Sequence, residues 1–221
     1  NDIGGRVVLP AFGGRPATNL DLAFKLSRLN VTSQRLQLGL GSRFTGPISN
    51  VYPAEGVPLV PGAAIVETPP ARGDMAAAIY LGLINQALFS MWRANIFEIP
   101  NLGDALGNNQ DNFDLGMSLI NPPAVEGVPG NPTKVKIHVG PYLGTFPAEP
   151  GEEVKTMRAV AWATAELAIE DGSISFGGAD SIKVEEIALT IDGAGEAVDG
   201  QAEFEEAFRK LVQEVIGQAL N

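Results

Sequence analysis

The chemistry open to this chain is limited by its single histidine and its lack of cysteine. His138 is the one histidine among 221 residues, and cysteine does not occur. Thiol catalysis, zinc–thiolate sites and iron–sulfur clusters all need cysteine, so the composition excludes them. A Ser–His hydrolase would have to use His138, but the sequence contains no G-x-S-x-G motif, and its closest match at residues 116–120 lacks the second glycine.

Acidic and amide side chains are plentiful, but their spacing assigns them no chemistry. Residues 108–114 read Asn-Asn-Gln-Asp-Asn-Phe-Asp, yet the D-x-[DN]-x-[DN]-G spacing of a calcium loop is absent. Spacing alone assigns no pair of carboxylates to acid and base roles. We therefore expect no catalytic residue, no metal site and no cofactor, and predict that the chain is not an enzyme.

The formal charge of −11 is unevenly distributed along the chain. Residues 1–70 carry six basic and four acidic side chains, whereas the other 151 residues carry nine basic and 22 acidic ones. An acidic surface repels phosphate groups, which argues against nucleic-acid binding and against electrostatic adsorption to anionic lipid headgroups.

The elements that position these side chains begin with a strand around His138. In an alternating run of sequence, Val135, Ile137 and Val139 share one face, and Lys134, Lys136 and His138 share the other. We therefore predict that His138 lies on the solvent side of a strand. Further strand candidates are residues 133–143, 156–169, 173–176 and 181–191, with an edge strand at 63–67.

The first part of the chain has a different texture from the rest. Residues 1–46 alternate apolar and polar side chains, and the phase slips at Arg28 and Leu29, as a β-bulge or a bend would make it. Residues 47–72 carry six prolines, which is typical of an extended connector. We divide the chain into residues 1–70, a strand-rich segment with a proline-rich connector, and residues 71–221, a second module; the two could also form one continuous domain.

Two helices are predicted in the second module. The first spans residues 74–93, with Asp74 as its N-cap, and is apolar around most of its circumference. One flat sheet face cannot cover such a helix, so it requires a curved sheet or another large apolar partner. Asn85 and Gln86 near its middle make it a poor membrane span. The second helix, residues 201–220, is amphipathic.

Residues 78–97 resemble a known family. They read Ala-Ile-Tyr-Leu-Gly-Leu-Ile-Asn-Gln-Ala-Leu-Phe-Ser-Met-Trp-Arg-Ala-Asn-Ile-Phe. This segment is similar to the start of the second half of bactericidal/permeability-increasing protein and its lipid-transfer relatives. Their TULIP fold implies an α+β architecture, in which a strongly curved antiparallel sheet wraps a long buried helix as a super-roll and a second amphipathic helix lies at the C-terminus. The family's antibacterial members are cationic, so we do not carry lipopolysaccharide binding over to this acidic chain.

The resemblance also implies a function. The chain would bind a lipid, an acyl chain or another apolar small molecule in a tunnel between helix and sheet, for carriage or sensing. The implied contact residues are Tyr80, Leu83, Ile84, Ala87, Met91, Trp92, Phe204, Phe208, Leu211 and Val215. The alternative is a non-enzymatic structural or interaction domain of a larger extracytoplasmic protein, with a filled core. Family behaviour and a start at Asn1 rather than methionine predict an extracytoplasmic location, in the periplasm, at the cell surface or secreted. The oligomeric state stays open.

Overall fold

A computed structural model describes most of the predicted strands and the first helix. The described residues are 3–9, 16–33, 36–53, 56–57, 80–105, 115–145, 156–170, 173–176, 182–192, 202, 205–206 and 208–213. The strands are β1 Ile3–Leu9, β2 Thr18–Val31, β3 Leu36–Thr45, β4 Gly116–Leu119, β5 Ala124–Val128, β6 Asn131–Thr145, β7 Thr156–Glu170, β8 Ser173–Phe176 and β9 Lys183–Asp192. The helices are α1 Leu81–Arg93 and α2 Leu102–Ala105, and residues 208–213 are also helical.

The first sheet is an antiparallel meander in the order β1-β2-β3. Its register shifts between Leu26 and Arg28, where Ser27 and Arg28 together lie opposite Gly39. A Cβ on Gly39 would lie 2.9 Å from the Cβ of Arg28, so the bulge needs glycine at this position. The extra residue returns Leu29 to the face that carries Leu26. Of the bulge or bend predicted from the phase slip, the structure has a bulge.

The second sheet is built around β6 and β7. These two strands pair with each other. β4 and β5 pair with the other edge of β6, and β9 and β8 pair with the other edge of β7; all of these pairs are antiparallel. Alternate residues of the sheet form one buried aliphatic face, as the period of two predicts. Within β7 that face is lined mostly by alanine, which lets helices approach the sheet closely. The buried residues of its central strands and of β5 are Val125, Val135, Ile137, Val139, Tyr142, Met157, Ala159, Ala161, Ala163 and Ala165.

One side of α1 is fixed to the second sheet by polar side chains. Asn85 is fully buried; its Nδ2 donates to the carbonyl of Val125 at 3.1 Å, and its Oδ1 accepts from the N–H of Val125 at 2.7 Å. Among the described strands β5 pairs with β6 alone, so Asn85 supplies partners for the N–H and C=O of Val125 on the outward edge. The indole N–H of Trp92 likewise donates to the carbonyl of Leu119 at 2.8 Å.

The other side of α1 meets the first sheet. The hydroxyl of Ser42 in β3 donates to Oε1 of Gln86 at 3.2 Å. Beyond β3, the backbone N–H groups of Ser49 and Asn50 donate to the carbonyl of Arg93 at 2.8 and 3.0 Å. Ser42 precedes Ser49 as Gln86 precedes Arg93, so β3 and α1 run in the same direction. The first turn of α1 therefore lies toward the start of β3.

α1 ends in a Schellman motif. Asn95 has a φ of 65°, the left-handed conformation that asparagine tolerates better than most residues. Its N–H donates to the carbonyl of Trp92 at 2.9 Å, and the N–H of Ile96 donates to that of Met91 at 3.0 Å. These bonds satisfy two carbonyls of the last turn and direct the chain toward Phe97, which is buried in the core.

The predicted α+β super-roll, a long buried helix wrapped by one strongly curved sheet, is wrong. In the described part of the chain the fold is mostly β-structure, with a helix of 13 residues and one of four. Tyr80 is extended, with ψ of 137°, so α1 begins at Leu81 rather than near Asp74, which lies outside the described residues. The helix is apolar on several sides because two separate sheets contact it.

The C-terminal helical residues cover the second sheet. Phe208, Leu211 and Val212 are buried against it. A guanidinium nitrogen of Arg209 donates to the carbonyl of Val184 at 2.6 Å, and Nε2 of Gln213 donates to that of Ile182 at 3.2 Å. Within the described ranges, no helix is both long enough and apolar enough to cross a bilayer.

Candidate apolar binding site

The structure brings four of the predicted lipid contacts into one buried cluster. Met91, Trp92, Phe208 and Leu211 all belong to the main core. Trp92, Phe208 and Leu211 are only 0–1% exposed. Side chains that line a tunnel wide enough for lipid would keep surface that water could touch. In this conformation, these three therefore act as core residues, and their role as lipid contacts stays a prediction.

The remaining predicted contacts divide into two groups. Leu83, Ile84 and Ala87 lie on α1 and are half-buried, and Tyr80, just before the helix, is 54% exposed. Phe204 and Val215 lie outside the described residues, as do the predicted edge strand at 63–67 and the acidic run at 108–114. The half-buried residues lie where α1 borders the first sheet or solvent.

Tyr142 is a core residue that the sequence did not single out. Its ring packs edge-on against Phe208, with 5.6 Å between the ring centres. Burial raises the pKa of the Tyr142 phenol well above its ordinary value, because the charged form would lose its hydration. Among the described residues, no hydrogen-bond partner of its hydroxyl is found.

The first sheet exposes a continuous aliphatic surface at its far end. Three directly opposed pairs of β2 and β3 form it, and each side chain is 53–67% exposed. Directly opposed residues lie on the same face of a sheet, so the three pairs make one strip. We call this surface the aliphatic patch, and its residues are Leu26, Leu29, Val31, Leu36, Leu38 and Leu40.

The aliphatic patch continues a face that is covered elsewhere. At the opposite end of β2, Leu20 is fully buried and belongs to the main core, together with Leu9 of β1. Between that end and the patch, Leu22, Phe24 and Phe44 are half-buried. Burial therefore decreases along one apolar face, from the core, past α1, to the patch. Because α1 and β3 run in the same direction, the first turn of α1, with exposed Tyr80 before it, lies toward the patch end of this face.

The opposite face of this ribbon is polar and basic. Lys25 and Arg28 lie behind the patch and Arg43 lies on the same face further along β3, opposite Ala23; all three are exposed. In the part of the chain that is described, none of the three has an acidic partner. Arg6, by contrast, pairs with Asp21 at 2.9 Å. The β2–β3 ribbon is therefore aliphatic on one side and cationic on the other.

The outer face of the second sheet carries several polar side chains that pair with one another. Nζ of Lys136 lies 4.2 Å from the ring centre of Trp162, whose N–H donates to Glu186 at 2.8 Å. His138 is exposed, as predicted, and its Nε2 lies 2.9 Å from Oε1 of Glu126. Over the described residues, no group of three His, Asp or Glu side chains could hold a metal ion. That the chain is not an enzyme stays a prediction.

Sequence reasoning missed the aliphatic patch. The alternation of Leu36, Leu38 and Leu40 is visible in the sequence and predicts that they share a face. It does not reveal that the face extends beyond what covers it, because the covering element, α1, is about forty residues away in the chain. A signal was available, because the alternating apolar stretch of the patch strands is longer than the short, largely enclosed α1 can cover.

Comparisons with known proteins show no family for this chain. A scan of protein-family models, a search of curated proteins and a search of solved structures each found no match. The similarity of residues 78–97 to the lipid-transfer family therefore stays a prediction, and function has to be argued from the residues and their geometry.

Proposed function

We propose that this chain binds a lipid or another elongated apolar molecule, and that the aliphatic patch beside the first turn of α1 holds it. The observation that carries the proposal is the exposure of six large aliphatic side chains on one sheet face. Soluble monomers rarely expose contiguous apolar surface of this kind, and where they do it commonly marks a binding surface.

The shape of the patch suits an extended chain. Its three cross-strand pairs span residues 36–40 of β3, which corresponds to a strip about 13 Å long on two strands about 5 Å apart. A narrow aliphatic strip contacts an acyl chain along its length, whereas a compact ring system would cover only part of it. Tyr80 lies exposed where α1 begins, at the end of the helix that points toward the strip.

The free energy available at the patch is sufficient for reversible binding. Full burial of a Val or Leu side chain is worth about 1.5–3 kcal/mol, and each patch residue is a little over half exposed. Six such side chains therefore offer roughly 5–10 kcal/mol before the cost of association. We expect dissociation constants in roughly the micromolar to millimolar range.

A second candidate function is a structural or interaction domain, and the packed core favours it. Trp92, Phe208 and Leu211 fill the space in which the predicted tunnel would run. If this candidate is right, another protein covers the patch and the purified chain carries no lipid.

Organic extraction of the purified full chain, followed by lipid mass spectrometry, separates the two functions. The proposal predicts co-purified lipid and saturable uptake of a fluorescent fatty acid. Leu38→Asn should weaken uptake severalfold, because it places an amide at the centre of the strip. Val8→Asn is the matched control, since Val8 is 62% exposed on the other face of the same sheet. Absence of both lipid and uptake, or equal weakening by the two variants, would refute the proposal.

A further inference from the structure

We infer that the aliphatic patch docks on the surface of an anionic lipid bilayer, with the β2–β3 ribbon lying at the boundary between headgroups and acyl chains. The inference rests on the proposed function and names the source of the lipid. The observations behind it are the two opposite faces of the ribbon and the distribution of charge along the chain.

The cationic face provides the charge complementarity. Lys25 and Arg28 lie behind the patch, and Arg43, opposite Ala23, lies behind the adjoining half-buried stretch; all three are exposed and without acidic partners among the described residues. When the patch faces a membrane, these long side chains stand within a Debye length of the headgroups and can bend toward phosphate. Each basic group near an anionic surface strengthens binding about fivefold.

The distribution of charge orients the molecule. Six of the 15 basic residues but only two of the 26 acidic residues lie in residues 1–50. The net charge of −11 opposes adsorption of the chain by charge alone, as the sequence predicts. Its separation, however, attracts the first sheet to an anionic surface while the acidic remainder is repelled. The patch lies on the sheet that is attracted.

The backbone limits how deep the ribbon can go. Among the described residues, β1 pairs with β2 only over residues 18–24, so beyond Phe24 the described ribbon has two strands and no strand along either outer edge. Open N–H and C=O groups need water and are not tolerated in the hydrocarbon interior. Docking is therefore shallow, with the patch side chains reaching about 5–10 Å into the boundary region, as amphipathic helices do.

A second copy of the chain is a weaker candidate for covering the patch. Stable protein interfaces bury about 800 Å² from each partner. The six patch side chains, each a little over half exposed, offer less than that area by themselves. A bilayer needs no minimum complementary area, because it adapts to the ribbon and adds the attraction to the cationic face.

The test is flotation of the full chain with lipid vesicles in a density gradient. Vesicles of phosphatidylcholine alone are compared with vesicles that contain about a third phosphatidylglycerol, a strongly anionic surface. We expect the chain to float with the anionic vesicles and to be released by about 0.5 M NaCl, which shortens the Debye length to about 4 Å. Lys25→Gln/Arg28→Gln/Arg43→Gln should lower the affinity for the anionic vesicles by up to about a hundredfold.

Two further variants separate the patch from general effects. Leu29→Asn/Leu38→Asn should abolish flotation while the cationic face stays intact. Its folding is checked by circular dichroism, and the exposed triple variant gives an independent answer if this one does not fold. The matched charge control is Arg158→Gln/Lys183→Gln/Lys210→Gln, which removes three exposed basic groups outside the first sheet and should leave flotation unchanged.

The outcomes divide clearly. Anionic-dependent flotation that both the patch variant and the first-sheet charge variant reduce supports the inference. No flotation, equal flotation with neutral vesicles, or equal loss in the charge control would overturn it. A dimer in light scattering that Leu29→Asn/Leu38→Asn dissociates would also overturn it, since a second copy would then cover the patch. Fatty-acid uptake without flotation would support the proposed function and refute only the docking on a membrane.

Discussion

Replacing Asn85 with alanine tests whether the amide fixes α1 to the second sheet. The substitution removes the donor to the carbonyl of Val125 and the acceptor of its N–H, at 3.1 and 2.7 Å. Val125 and Asn85 are both fully buried, so water cannot replace the lost bonds. A buried polar group left without a partner costs about 1–3 kcal/mol, so the two groups together cost about 2–6 kcal/mol.

That loss is a large fraction of the free energy of unfolding of a typical domain, which is about 5–15 kcal/mol. Helix propensity favours alanine over asparagine by only about 0.6 kcal/mol, which cannot hide it. The assay is urea denaturation followed by circular dichroism. Gln86→Ala is the control, because the neighbouring Gln86 makes one half-buried bond to Ser42 and its loss should cost about 0.5–1.5 kcal/mol. If Asn85→Ala costs no more than Gln86→Ala, the reasoning about the edge of β5 is wrong.

Three further predictions concern single side chains. Tyr142→Phe should leave stability unchanged or raise it near neutral pH, because the buried hydroxyl has no partner to lose among the described residues. Burial raises the pKa of Tyr142 above its ordinary value of 10.0, so the contribution of Tyr142 to the free energy of unfolding is complete below pH 10 and declines as the pH rises further. Urea denaturation between about pH 9 and pH 11 should therefore show a smaller decline in the free energy of unfolding for Tyr142→Phe than for the parent chain. Gly39→Ala should cost about 1–3 kcal/mol because its Cβ would lie 2.9 Å from that of Arg28, and a thermal melt in which Gly41→Ala, with 3.8 Å of clearance, loses as much would contradict the account of the bulge. Gly82→Ala should stabilise α1 by about 0.5–1 kcal/mol, because nothing lies within 4 Å of the added methyl group and alanine is the better helix former; a lower melting temperature would count against this.

The features that were predictable from the sequence are those set by local period. The alternation around His138 places Val135, Ile137 and Val139 in the core and His138 in solvent, as observed. The phase slip near Arg28 likewise marks the observed bulge. Both depend on residues within one strand pair, so a period of two suffices to find them.

The wrong prediction of a wrapped helix has a specific cause. Apolar side chains around nearly the whole circumference of α1 indicate that it is covered on several sides. They do not indicate whether one curved sheet or two separate sheets cover it. Asn85 illustrates the difficulty, because the sequence shows a polar residue in an apolar helix. Its partner, the backbone of Val125, is 40 residues away and leaves no mark in the sequence.

The candidate site escaped prediction for a related reason. Apolar residues at regular spacing are typical of a core, and the patch residues have that spacing. Whether such a face is covered depends on the length of the covering element. α1 is 13 residues long and meets β3 at Ser42, so the pairs nearer the start of β3 extend past its first turn.

The measurement that tests the central claim most directly is quenching of a single probe by a lipid. Because the chain has no cysteine, Leu40→Cys and Val8→Cys each provide one labelling site for a small fluorophore. Leu40 lies in the patch near α1, and Val8 is similarly exposed on the opposite face of the sheet. We predict that a nitroxide-labelled stearic acid quenches the probe at position 40 in a saturable manner and leaves the probe at position 8 unchanged. Equal quenching at both positions, or none at position 40, would contradict the assignment of the aliphatic patch as the binding site.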